Sequence, residues 1–134
     1  MIDPEPVTVP VPECKSSPLL DETRARDIRD MLHESNPRAY KRMLDNLARD
    51  LSRFSVAMQA YAGGVPIDEI KHLAHSLKGG SLGLGAQALG ELFSELERLT
   101  GLGDMPAAER LHAASARLIA QSENALRQLD AVAP

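Results

Sequence analysis

From Tyr40 to Met58 an apolar residue returns every three or four positions: Tyr40, Met43, Leu44, Leu47, Leu51, Phe54 and Met58. A helix of 3.6 residues per turn gathers such a set onto one side. Arg42, Arg49, Asp50 and Arg53 fall on the other. Asn36-Pro37 supplies the start, a capping side chain followed by proline in the first turn, and Gly63-Gly64 supplies the end. A long helix with one apolar stripe needs other elements to cover it. The chain therefore folds by laying further helices against this one.

Those helices are readable in order. Asp21 caps a first, short helix through about Glu34, with Ala25, Ile28, Met31 and Leu32 on its apolar side. Pro66 opens a third, with Asp68 and Glu69 at its positive end, running to about Leu82. Gly83 and Gly85 then turn the chain. A fourth carries Leu89, Leu92, Phe93, Leu96 and Leu99 and closes at Gly101 and Gly103. Asp104 and Pro106 start a fifth, to about Asp130, with Ala108, Leu111, Leu118, Ala125 and Leu129 inward. The connections are short, so successive long helices run antiparallel. The expectation is an all-α protein: an antiparallel up-down four-helix bundle with a short N-terminal capping helix. Residues 19–134 form this domain. Residues 1–18, with Pro4, Pro6, Pro10, Pro12 and Pro18, read as a flexible proline-rich arm.

Composition narrows the function classes. Apolar positions are dominated by Leu and Ala with few aromatic residues, which favours helix over sheet. The formal charge is −4 and no block of Lys and Arg occurs, which argues against nucleic-acid binding. No stretch reaches the roughly 18 apolar residues that span a bilayer. The N-terminus lacks the basic-then-apolar order of a secretory signal. The single cysteine, Cys14, excludes an internal disulfide. A cytoplasmic monomer is the simplest reading.

The chemistry centres on Ala74–Ala86. On a helical wheel Ile70, Leu73, Leu77 and Leu84 share one side, and His75 points roughly the opposite way. Lys78 lies one turn on, on the side of His75, and Gly79 beside it contributes no side chain. An accessible nitrogen nucleophile, a nearby cation and a bare patch of backbone suit acceptance and release of a phosphoryl group. Gly79 and Gly80 adjoin mid-helix, where glycine costs about 1 kcal/mol relative to alanine. Close approach of another protein's active site is one reason for them, and loose packing is the other. A neutral imidazole attacks through one nitrogen, and a carboxylate on the other would fix its tautomer. Glu97 shares a flank of the fourth helix with the small residues Ala86 and Gly90. Spacing alone leaves it either a solvated acid or that partner.

No phosphate-binding loop and no kinase signature occur, so any phosphoryl group comes from a second protein. Three other pairings compete. Glu69 with His72 and Glu109 with His112 have the Glu-x-x-His spacing of di-iron bundles, but Ile70, Leu73 and Leu77 claim the inward side of the third helix. His72 and His75 lie three apart and could chelate a surface ion. His33 sits near a helix end, and His112 has no nameable partner. A non-catalytic helical adaptor that binds the same proteins without accepting phosphate is the other alternative.

The run His75-Ser76-Leu77-Lys78-Gly79, followed by Gly85-Ala86, Leu89 and Leu96-Glu97, resembles the histidine phosphotransfer (HPt) domain family. The similarity extends over the layout from about Leu19 to Ala131 and leaves out the proline-rich arm. It implies that His75 is phosphorylated, that Lys78 helps neutralise the phosphoryl oxygens, and that Gly79 keeps access open. It also places Glu97 on the inner nitrogen of the histidine. The implied partners are receiver domains, of a hybrid sensor histidine kinase and of a response regulator. They bring the aspartate and the Mg²⁺, so the chain needs no cofactor or metal of its own and has no kinase activity. A free-standing relay intermediate is expected. By the wheel Asp68, His72 and Leu82 share the side of His75, with Lys71 at its edge, and form the expected docking rim. Leu82 would be an exposed apolar residue there.

Overall fold

In the computed structural model, residues 18–132 are described, and the chain there is helical with no strand. Six α-helices follow in order: α1 (Glu22–Ser35), α2 (Pro37–Ala60), α3 (Ile67–Gly83), α4 (Gln87–Gly101), α5 (Met105–Ala114) and α6 (Ala116–Ala131). A single 3₁₀ turn, Tyr61–Gly63, leads out of α2. The all-α bundle expectation holds. The proline-rich arm falls almost entirely outside the described residues.

The caps work as their chemistry dictates. Arg24 N–H donates to the Asp21 carboxylate at 3.2 Å, and Arg38 N–H donates to the Asn36 side chain at 3.0 Å. Ala107 N–H donates to the Asp104 carboxylate at 3.1 Å. Each satisfies a first-turn donor that has no intrahelical partner.

The apolar stripes meet in one core. Tyr40, Leu44, Phe54, Ile70, Leu77, Leu89, Leu92, Phe93, Leu96, Leu111 and Leu126 are buried. Phe54 of α2 meets Phe93 of α4 edge-on, with ring centroids 5.1 Å apart. Burial of each large side chain contributes about 1.5–3 kcal/mol, which is why the three-four spacing decides the fold. Two stripe residues depart from expectation. Met31 is 55% exposed and Met43 38%, because each lies at the edge of its stripe where no neighbouring helix covers it.

The expected fifth helix is two. Ser115 separates α5 from α6: its hydroxyl donates to Leu111 O at 2.7 Å, and its N–H donates to His112 O at 3.1 Å in a tighter turn. The side chain competes for a helical carbonyl and the ladder breaks there. Leu118 and Leu129 still face inward across the break.

α1 lies across the end of the bundle on α2 and α6. Its start is joined to the α3–α4 turn: Asp21 N–H donates to Gly85 O at 2.8 Å, and Arg24 Nε–H donates to Leu82 O at 3.1 Å. Gly85, not Gly83, makes that turn, with φ +81°. A Cβ there would come within 2.7 Å of the Ala25 backbone, so glycine serves both the dihedral and the close approach. At its other end Arg29 is buried and donates to Leu129 O at 3.1 Å, and His33 Nε2 lies 3.1 Å from Asp130 Oδ1.

Candidate functional site

α3 and α4 form the most extensive helix pair, and their antiparallel register builds the site. Ile70, Ala74, Leu77 and Ser81 occupy the buried face of α3. His75 is thereby turned outward and its side chain is 68% exposed. It leans toward α4, where its Nδ1 lies 2.9 Å from Glu97 Oε2. A carboxylate only accepts, so Nδ1 carries the proton and donates. The neutral ring then has its lone pair on Nε2. The imidazole is thus held from behind while its nucleophilic nitrogen stays open.

Glu97 does a second job that sequence spacing did not reveal. Its Oε1 lies 3.7 Å from Lys78 Nζ, so one carboxylate holds both the imidazole and the ammonium. Its side chain is only 22% exposed, which sharpens the interaction relative to a fully solvated pair. Thr100 Oγ1–H donates to the carbonyls of Leu96 and Glu97 at 2.9 and 3.0 Å, seating the next turn of α4.

Gly79 and Gly80 are exposed, and a Cβ at either would meet nothing within 4 Å. Packing inside the molecule does not ask for glycine at these positions. What they leave is open space over the helix one turn beyond His75.

Of the expected rim, Asp68, Lys71 and His72 are exposed on α3. The stem of Lys71 lies across Gly101 of α4. Leu82 departs from expectation: it is half-buried, because Gly90 of α4 offers a hollow that receives its side chain. A groove of about 440 Å³ runs along this flank past Lys71, Lys78, Ser94, Glu97 and Arg98. In it Arg98 Nε–H donates to Glu95 at 3.0 Å, and that hydrogen bond holds the Glu95 carboxyl below its usual range. The other flank carries a hollow of about 150 Å³ bordered by Met43, Asn46, Asp50, Ser76 and Gly80. Sequence reading did not bring Met43 to the site, and its place at the edge of the α2 stripe beside Arg42 was the available signal.

The remaining histidines lie elsewhere. The His112 ring packs edge-on against Phe54 at 5.1 Å, and its Nε2 is 3.5 Å from Ser55 Oγ. Burial pushes its pKa down. Among the described residues no three His, Cys, Asp or Glu side chains converge on a common point that could hold a metal.

A family model, Hpt domain, matches residues 27–132, most of the chain. The chain belongs to the Hpt domain family. Histidine phosphotransfer within a phosphorelay is therefore its class of activity. The Hpt match begins inside α1, so Asp21, Arg24 and Ala25 lie ahead of it. No curated protein matches the chain. Among solved structures, a rice protein described as a histidine-containing phosphotransfer protein has a TM-score of 0.64 at 17% identity, covering 87% of this chain and 85% of that one. That likeness bears on the fold. Among the described residues, no helix is long and apolar enough to cross a membrane.

Proposed function

We propose that this protein accepts a phosphoryl group on His75 from a receiver-domain aspartate and passes it to the receiver of a response regulator. One observation carries the reading: an outward imidazole whose Nδ1–H is engaged by Glu97 at 2.9 Å, leaving Nε2 free. Nε2 attacks phosphorus, and the bond between phosphorus and the aspartate oxygen breaks with its electron pair leaving on the carboxylate. The Nδ1 proton stays on the ring, facing Glu97. Lys78, held 3.7 Å from the same carboxylate, is placed to turn toward the phosphoryl oxygens. The return step is the same displacement with a second receiver as acceptor. The scaffold contributes position and charge rather than covalent work.

The hybrid sensor kinase supplies the donor receiver, and Mg²⁺ comes with the receiver rather than with this chain. Asp68, Lys71 and His72 form one edge of the docking surface, and Gly79 keeps its centre open. The protein acts in the cytoplasm as a monomer and has no kinase activity of its own. Incubation with a phosphorylated receiver tests this. Label should move to an acid-labile, base-stable linkage on the wild type and not on His75→Gln. Equal labelling of both would remove His75 from the mechanism.

A further inference from the structure

The α3–α4 seam has a regular register on its outer side. Lys71 lies over Gly101, His75 bonds Glu97, and Leu82 lies over Gly90. The two glycines of α4 thus sit one to two turns either side of Glu97, and each receives a side chain from α3. They are not equivalent. A Cβ at Gly101 would meet only the flexible stem of Lys71, at 3.6 Å, which is ordinary contact. A Cβ at Gly90 would lie 2.3 Å from Leu82 Cδ2 and 2.6 Å from Leu82 Cγ. Both atoms are met, so turning one terminal methyl does not relieve the overlap. Nor is the backbone of Leu82 free to retreat. Its carbonyl accepts from Arg24, and the adjoining turn is fastened to α1 through Gly85.

We infer that Gly90 is a positioning residue for His75: its missing Cβ sets the separation of α3 and α4 at which Glu97 reaches the imidazole. Packed interiors shift rather than compress. An added methyl at Gly90 therefore moves one helix against the other, and the 2.9 Å hydrogen bond between them is the contact with least tolerance. The consequence for phosphotransfer rests on the reading of His75 as the acceptor. The consequence for the hydrogen bond does not.

The test compares wild type, Gly90→Ala, Gly101→Ala and the double variant Leu82→Ala/Gly90→Ala. Nitrogen NMR of His75 in alkaline buffer reports the tautomer, and labelling from a phosphorylated receiver reports transfer. Wild type and Gly101→Ala should show the Nδ1–H form. Gly90→Ala should lose it and transfer roughly tenfold to a hundredfold more slowly. The double variant keeps the methyl but lacks what it meets, and should recover the tautomer and most of the rate. Gly90→Ala with an undisturbed tautomer overturns the inference even if His75 is labelled normally. If Gly90→Ala does not fold, the double variant decides. Recovery of fold and tautomer supports the inference, and failure to recover overturns it. Absence of label on wild-type His75 sinks the phosphotransfer reading and leaves the tautomer comparison to judge the spacing.

Discussion

Two histidines of this bundle receive opposite treatment. His75 stands on the outside of α3 with one nitrogen held by a carboxylate and the other in solvent. His112 is half-buried on α5, its ring against Phe54 and its Nε2 near the Ser55 hydroxyl. Burial disfavours the charged form of His112 and lowers its proton affinity. What marks His75 is geometry: an exposed nucleophilic nitrogen, a partner that fixes the tautomer, a cation held by that same partner, and glycines that packing does not need. On the proposed function His75 is visited by another protein's active site, and such a group gains from presentation and orientation where burial would defeat it.

The sharpest way to break this contrast is to remove each ring. His75→Gln should reduce transfer by several orders of magnitude, as loss of a nucleophile does. His112→Leu should leave the rate within about twofold, since that ring has no contact with the site. A comparable loss in both, measured as initial labelling rate, would mean that the two regions are coupled. Glu97→Ala comes next. It removes the acceptor of a charge-assisted hydrogen bond, a contribution of about 1.5–3 kcal/mol, so transfer should slow roughly tenfold to a hundredfold without stopping. An unaltered rate would make Glu97 a bystander. Gly79→Gln tests the open space. Glutamine is the better helix former by roughly 0.5–1 kcal/mol and its Cβ would meet nothing within 4 Å, so thermal unfolding should rise slightly. Transfer should nevertheless fall about tenfold, because the side chain occupies ground that the partner must cover. Faster or normal transfer with higher stability would separate Gly79 from access.

Much of this contrast was written in residue periodicity. The stripes of α2 and α4 survived, apart from Met43 at the edge of α2, because their other apolar residues sit well inside a helix and their burial outweighs local preferences. The outward direction of His75 followed from Ile70, Leu73, Leu77 and Leu84 sharing the opposite side, and of these Leu73 is only half-buried. A wheel gives the side of a helix, however, and not its offset against a neighbour. That offset is set here by the turn at Gly85 and by Leu82 seating on Gly90, so spacing left Glu97 as one of two alternatives and only the family resemblance favoured its meeting with His75. The same blindness placed Leu82 in solvent. The break at Ser115 was hidden for another reason. Serine there keeps the inward spacing of Leu111 and Leu118, and neither glycine nor proline announces the turn. Lys78 reaching Glu97 depends on the conformation of a long side chain, about which spacing says nothing.

The smallest expected effect concerns the buried ring alone. As pH falls through about 6.5, an imidazole in the unfolded chain takes up a proton. His112 in the folded chain resists, because burial disfavours its charged form. The unfolded state then binds more protons than the folded one, so stability rises with pH across this window and is lost on acidification. The contribution is complete above the unfolded value and declines as pH drops toward the lower folded one. Glu95 adds a further loss, but only below the ordinary carboxylate range, so measurements kept above about pH 5 exclude it. Urea unfolding midpoints at pH 7.5 and 5.5 should therefore fall more for wild type than for His112→Leu. Every other titrating group is common to both proteins, and it is the difference in slope that isolates the one ring. Equal slopes would mean that His112 protonates as readily folded as unfolded. Its separation from His75 would then rest on position alone.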